Sequence, residues 1–275
     1  MIKKTLLCLA VFTFSTISFA ESPPVPAENT QLKSIGSVRV SMQRMLRSTD
    51  GRYFLDLYAG IWNPHGVLKD LAENKSIAFK GSQKGDQLKL KSVSVDSMDG
   101  AAATYELSGK LDANTGLMTA ELLSSDSDDK AAIHFEPAFK AVDKPVIVFK
   151  FYGAEGEGQP YGKALKRVDI VNKSNNMVMQ SLSGFTAYAG SIGFLDINFD
   201  GYYDVVLADV SANRKVEDKR FIYWMYNPKT KLFQRSSQLE NITGFPALHG
   251  DRQQIDFGNG QRYQVTNGLL NKIAE

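Results

Sequence analysis

Short apolar runs at period two, divided by turn residues, fill this chain and leave little room for helices. Successive side chains of a strand point to opposite faces, so such alternation specifies half-buried strands. Val38 and Val40 alternate with polar neighbours ahead of Ser48-Thr49-Asp50-Gly51, and Phe54-Leu55-Asp56-Leu57-Tyr58 returns beyond it. The Asp-Gly pair predicts a hairpin. Tyr105 and Leu107 lead through residues 112–116 into Met118, Ala120 and Leu122, a second hairpin. Between these, Leu88 and Leu90 occupy one phase and Val93 and Val95 the other, which predicts a β-bulge near Lys91-Ser92.

The second half continues in the same style. Pro145-Val146-Ile147-Val148-Phe149 is almost continuously apolar, as in a strand buried on both faces. Residues 168–171 and 177–179 flank Asn175-Asn176, which tolerate left-handed backbone angles, so a tight hairpin is expected. Residues 221–226 and 231–233 form another, joined through Asn227-Pro228-Lys229-Thr230. Helical pattern is limited to segments of a turn or two, such as Val67 to Ala72. The expected class is all-β, a β-propeller-like or sandwich arrangement of short antiparallel strands.

The chain opens with Lys3 and Lys4, an apolar stretch from Leu6 to Phe14, and Ser18-Phe19-Ala20. That layout is a cleavable secretory signal, with the cut expected after Ala20 and a periplasmic destination. The stretch is too short and too interrupted by Thr and Ser to span a bilayer, and no later segment qualifies. Cys8, the one cysteine, leaves with residues 1–20, so no disulfide is expected. Residues 21–30 are proline-rich and read as a linker. An N-terminal β region over 31–140 and a C-terminal β region over 141–275 follow, free to form one continuous fold. Losing Lys3 and Lys4 reduces the 32 basic residues to 30, which match the 30 acidic ones. A charge near zero argues against non-specific binding to nucleic acid or an anionic membrane.

One segment carries recognisable chemistry. Counting from Asp196, oxygen donors stand at positions one, three, five and nine (Asp196, Asn198, Asp200, Asp204), with Gly201 at six. Calcium takes six to eight oxygen ligands at about 2.3–2.6 Å, which a chain supplies by wrapping tightly. Asp196, Asn198 and Asp200 are the candidate side-chain ligands, Gly201 permits the turn, Tyr202 offers its backbone carbonyl and Asp204 closes the site. A helix-loop-helix hand needs glutamate at position twelve, where Leu207 stands. The apolar runs on either side suit strands, and the loop resembles the strand-flanked calcium loops of integrin-type FG-GAP and VCBS repeats. Its three carboxylates repel one another without a cation, so a stabilising role is expected rather than a catalytic one.

Elsewhere the signs of an enzyme are missing. His65, His134 and His249 have no zinc-type spacing, and there is no Gly-x-Ser-x-Gly elbow. The glycine-rich run 153–160 lacks a Gly-Lys-Ser/Thr ending and reads as a surface loop. The acidic run 124–129 lacks a glycine turn and reads as solvated. Tyr223-Trp224-Met225-Tyr226 reads as a packed strand face.

Taken together, the opening strand, an Asp169-bearing hairpin, Asp-Ile-Asn-Phe-Asp-Gly-Tyr-x-Asp and the closing hairpin on Tyr-Asn-Pro-Lys-Thr-Lys-Leu-Phe give a resemblance covering about Lys144 to Leu239. This stretch resembles the periplasmic calcium-binding lysozyme-inhibitor and immunity proteins of bacterial killing systems. The resemblance implies a β-propeller-like fold, bound calcium, no enzymatic activity, and a peptidoglycan hydrolase (lysozyme-like toxin) as partner. Where that family has a glycine-rich segment after the calcium loop, this chain has residues 211–219, which read as a charged, solvated loop. The alternative expectation is a calcium-stabilised structural or adhesive module of the cell envelope.

Overall fold

The computed structural model describes residues 32–93, 104–125, 129–211 and 213–273. The expected signal, the linker, Val95 and the centre of the acidic run lie outside them. The first half holds β1 (Lys33–Ser34), β2 (Arg39–Ser48), β3 (Tyr53–Ala59), β4 (His65–Asp70), β5 (Lys75–Lys84), β6 (Gln87–Ser92), β7 (Tyr105–Leu111), β8 (Met118–Ser124) and β9 (Lys130–Pro137). From β2 to β9 each strand pairs antiparallel with the next, and β9 returns to β2 through Leu46↔Pro137 and Ser48↔Phe135. The result is a closed eight-stranded up-and-down barrel. Its interior is filled by one face of each strand, including Leu55, Leu57, Leu68, Phe79, Leu90, Leu107 and Phe135. Closure requires sharp bends, and Gly81 marks one: a Cβ there would sit 2.0 Å from the Lys89 carbonyl oxygen.

The second half comprises β10 (Ile147–Glu155), β11 (Lys163–Asn172), β12 (Val178–Leu182), β13 (Ala187–Leu195), β14 (Asp204–Asp209), β15 (Phe221–Asn227) and β16 (Leu232–Arg235). A short helix α1 (Ser237–Glu240), capped by the Ser236 hydroxyl accepting from the Leu239 N–H, leads on. It precedes a separate meander of β17 (Ala247–His249), β18 (Gln254–Asp256), β19 (Arg262–Thr266) and β20 (Leu269–Lys272). β13 runs parallel to the start of β2, with Ser191↔Arg39 and Phe194↔Met42, so one long strand serves both halves. β1 crosses back to pair with β10. A second core lies among β11 to β16, and a third joins the outer face of the barrel to β13–β15 and the small meander.

The all-β expectation holds, while the architecture differs from blades or a sandwich in the first half: a meander whose last strand meets its first closes into a barrel, which leaves no edge. All the predicted hairpins form, with Asn176 at φ 58° in the one between β11 and β12. The bulge at Lys91-Ser92 does not form; β6 keeps register with β5 and β7 and ends at Ser92. Residues 67–70 belong to β4 rather than a helix, because both neighbouring strands pair with them. Gly153 to Glu155, read as loop, extend β10. The run Pro145 to Phe149 is not buried on both faces, for Val146 and Val148 are exposed. It sits on a sheet edge. The aromatic run does pack: Tyr226 and Trp224 join the second core, Tyr223 and Met225 the third.

Candidate metal centre

Leu195↔Asp204 is the last pair of β13 with β14, and residues 196–203 form the connection beyond it. Ile197 and Phe199 bury their side chains in the third core, while Asn198 bonds Asp200 and the Asp200 charge acts on Asp196. Phe199 is held at φ 56° and Gly201 at φ 87°. Gly201 is irreplaceable on two counts, since a Cβ would also meet the Ala141 backbone nitrogen at 2.7 Å.

Hydrogen bonds fix each predicted side chain. Asp196 Oδ1 accepts from the Asp200 N–H (3.0 Å) and Oδ2 from the Gly201 N–H (2.9 Å). Asp200 Oδ1 accepts from the Tyr202 N–H (2.9 Å) and Oδ2 from Asn198 Nδ2 (2.8 Å). Asn198 Oδ1 is buried and has no partner. Asp204, buried, accepts from the Ile197 N–H (2.9 Å) with Oδ2 and from the Tyr226 N–H (2.8 Å) with Oδ1. It pins the loop to β15. Tyr202 contributes its N–H, stacks on Tyr226 at 5.2 Å and donates its hydroxyl to the Val142 carbonyl.

The electrostatics follow from burial. Desolvation first, and then repulsion from Asp200, raise the Asp196 carboxyl to about 7. Desolvation also holds Asp204 well above the ordinary carboxylate range, against the hydrogen bonds that lower it. The cation that acts on Asp196 is Lys144. Although that residue is exposed as a whole, its ammonium lies 3.7 Å over the Tyr203 ring, and desolvation lowers it to about 8. Sequence reading missed the segment 139–144, which covers the loop through Phe139 on Phe199 (5.3 Å), Val142 and Lys144. Its only signal was the Lys-Pro step at 144–145, which marks no site.

No family model, no curated protein and no solved structure matches this chain. The site therefore has to be judged on its donors. Among the described residues no three His, Cys, Asp or Glu side chains are arranged to hold a metal ion. The loop instead offers two carboxylates and an amide oxygen, a mixture calcium accepts together with backbone carbonyls. An unpartnered buried oxygen on Asn198, whose amide bonds Asp200, together with the repulsion between Asp200 and Asp196, is what a hard cation fits. Asp196 and Asp204 each accept a backbone N–H on both oxygens, which fixes these carboxylates in the loop, and Asp204 in addition ties it to β15.

The remaining sequence candidates are dispersed. His65 stacks on Tyr58 at 4.8 Å, and His65 and His249 line a separate cleft with Asp56 and Lys69. In the segment 211–219, Asp209 accepts from the Ser211 hydroxyl and pairs with Arg214, and the Tyr161 hydroxyl bonds Glu217 and the Val216 N–H.

Proposed function

We propose that this protein is a non-enzymatic, calcium-stabilised binding protein of the periplasm, whose partner is a peptidoglycan hydrolase. The observation that supports the calcium half is the orphaned Asn198 Oδ1, on an amide that bonds Asp200, in the loop where Asp200 repels Asp196. Buried polar atoms are almost always paired, and buried carboxylates in mutual repulsion are costly. A cation gives Asn198 Oδ1 the partner it lacks and offsets the repulsion between Asp196 and Asp200. Asp196, Asn198, Asp200 and the Tyr202 carbonyl would hold it, with Asp204 fixing the loop ends. When bound, calcium neutralises the repulsion and ties β13 to β14. The partner half rests on the resemblance over residues 144–239.

Two measurements test the halves separately. Thermal unfolding in calcium and after exhaustive chelation should differ by several degrees; an unchanged midpoint removes the calcium reading. Cell-wall lysis by lysozyme-type peptidoglycan hydrolases should slow when the purified protein is added in excess. A protein that calcium stabilises, yet that leaves every such hydrolase active, would be a structural or adhesive module of the envelope.

A further inference from the structure

Between the barrel and the second half lies a cleft of about 890 Å³, walled by Val40, Phe149, Phe151, Phe194, Tyr226 and Phe233. It touches every residue from Lys144 to Phe149 in succession. The face of a strand would present alternate residues, so the cleft runs along the β10 edge.

That edge is open. The Lys173 N–H donates to the Val146 carbonyl, which places 146, 148 and 150 in the bonded phase with β11. Ile147 and Phe149 therefore direct their N–H and C=O groups away from β11. On that side β1 covers only Tyr152 and Gly153, plus one bond from the Ile35 N–H to Phe151. The chain then turns off at Ser37, with φ 63°. Among the described residues, nothing takes the outward groups of Ile147 and Phe149.

The same cleft, which Glu136 and Asp196 also line, holds two cations that form no ion pair. Arg44 is buried to 8 % exposure, donates Nη2 to the Ala113 carbonyl (2.9 Å), and leaves its Nε buried with no partner. Lys144 stands close enough for the two cations to repel each other. Neither forms an ion pair with a carboxylate among the described residues. Around the mouth, Leu117, Val146 and Val148 are exposed.

We propose that this cleft receives an extended peptide segment, apolar at alternate positions and carrying a carboxylate, which adds as a strand to β10 and sets its acid on Arg44 and Lys144. Strand addition satisfies the open backbone groups, alternate side chains enter the aromatic wall, and the carboxylate gives Arg44 the partner it lacks. An anionic lipid would satisfy the cations and the wall but leave the backbone of Ile147 and Phe149 unused. The proposal requires neither calcium in the loop nor the hydrolase as partner, although Asp196, Tyr202 and Tyr203 of the loop line the same cleft.

The test uses the full protein and short fluorescent peptides alternating valine with serine, with a central glutamate or, in the matched set, glutamine, and palmitate as a competing probe. The glutamate peptide should bind about tenfold or more tighter than the glutamine peptide, the worth of a charged hydrogen bond. In Arg44→Gln that preference should disappear. In the unmodified protein, amide exchange at Ile147 and Phe149 should slow when the glutamate peptide is added, while Val148, already paired with β11, should not change. Equal binding of the two peptides, unaltered exchange at Ile147 and Phe149, or binding of palmitate with no peptide able to displace it would each overturn the proposal.

Discussion

Carboxylates withdrawn from water at Asp56, Asp196 and Asp204 give this protein an inverted acid response. Desolvation holds Asp56 near 7 although Lys69 lies 3.6 Å away, because Lys69 also serves Asp251. Asp196 is likewise held at about 7. Both values exceed 3.8, so the native state binds more protons than the unfolded chain between pH 4 and 7. Their contribution is complete below about pH 3.8 and is lost as pH rises through about 7. Asp56→Asn should therefore be more stable than the parent at pH 8, by about 1–4 kcal/mol, and indistinguishable at pH 4; a midpoint no higher at pH 8 would count against it. Calcium held as proposed would turn the slope around at Asp196, since a ligand must be ionised. The rise in melting temperature on adding calcium should be larger at pH 8 than at pH 6, and nearly absent in Asp200→Ala. Equal shifts in Asp200→Ala and the parent would show that the ion sits elsewhere. The spacing of Asp196, Asn198, Asp200 and Asp204 made this loop legible from sequence, but Lys144 and Phe139, more than fifty residues earlier, are brought to it only by the tertiary fold.

Among the elements, β12 and β16 are joined by a single side chain. Gln180 donates Nε2 to the Phe233 carbonyl (2.8 Å) and accepts from the Phe233 N–H with Oε1 (2.7 Å), copying a backbone pair. Gln180→Met keeps the length and removes both bonds, leaving the Phe233 backbone groups unpaired, so a loss of about 1–3 kcal/mol in urea unfolding is expected. A loss under a few tenths would mean water replaces the amide. Period-two alternation found the strands because each has one buried face, yet it said little about which strand pairs with which. β2 reads as half of a hairpin, and it is that, but its ends also meet β9 and β13. Pro145 to Phe149 misled because β-branched residues suit an edge as well as a centre, and only the absent neighbour tells them apart.

Across the whole molecule, the barrel ends with β9 at Pro137 and the second half begins with β10 at Ile147, but packing runs across the two. The third core draws Met45 and Phe54 from the outside of the barrel, Leu195, Val206 and Tyr223 from the second half, and Leu248 and Ile255 from the terminal meander. Contact there is tight: a Cβ on Gly250 would lie 2.7 Å from the Phe54 ring. With β2 shared between the halves, opening either one exposes apolar surface of the other, which is the condition for a single cooperative transition. The two tryptophans can report on this, for Trp62 follows β3 in the barrel and Trp224 lies in β15. Single-tryptophan variants, Trp62→Phe and Trp224→Phe, should give coincident denaturant midpoints. Phe54→Ala should lower both together, by about 3–5 kcal/mol, although Phe54 belongs neither to the barrel interior nor to the core that takes in Trp224. If Phe54→Ala moved the barrel signal and left Trp224 unfolding where it was, the halves would be independent domains, and calcium in the loop would steady only the second.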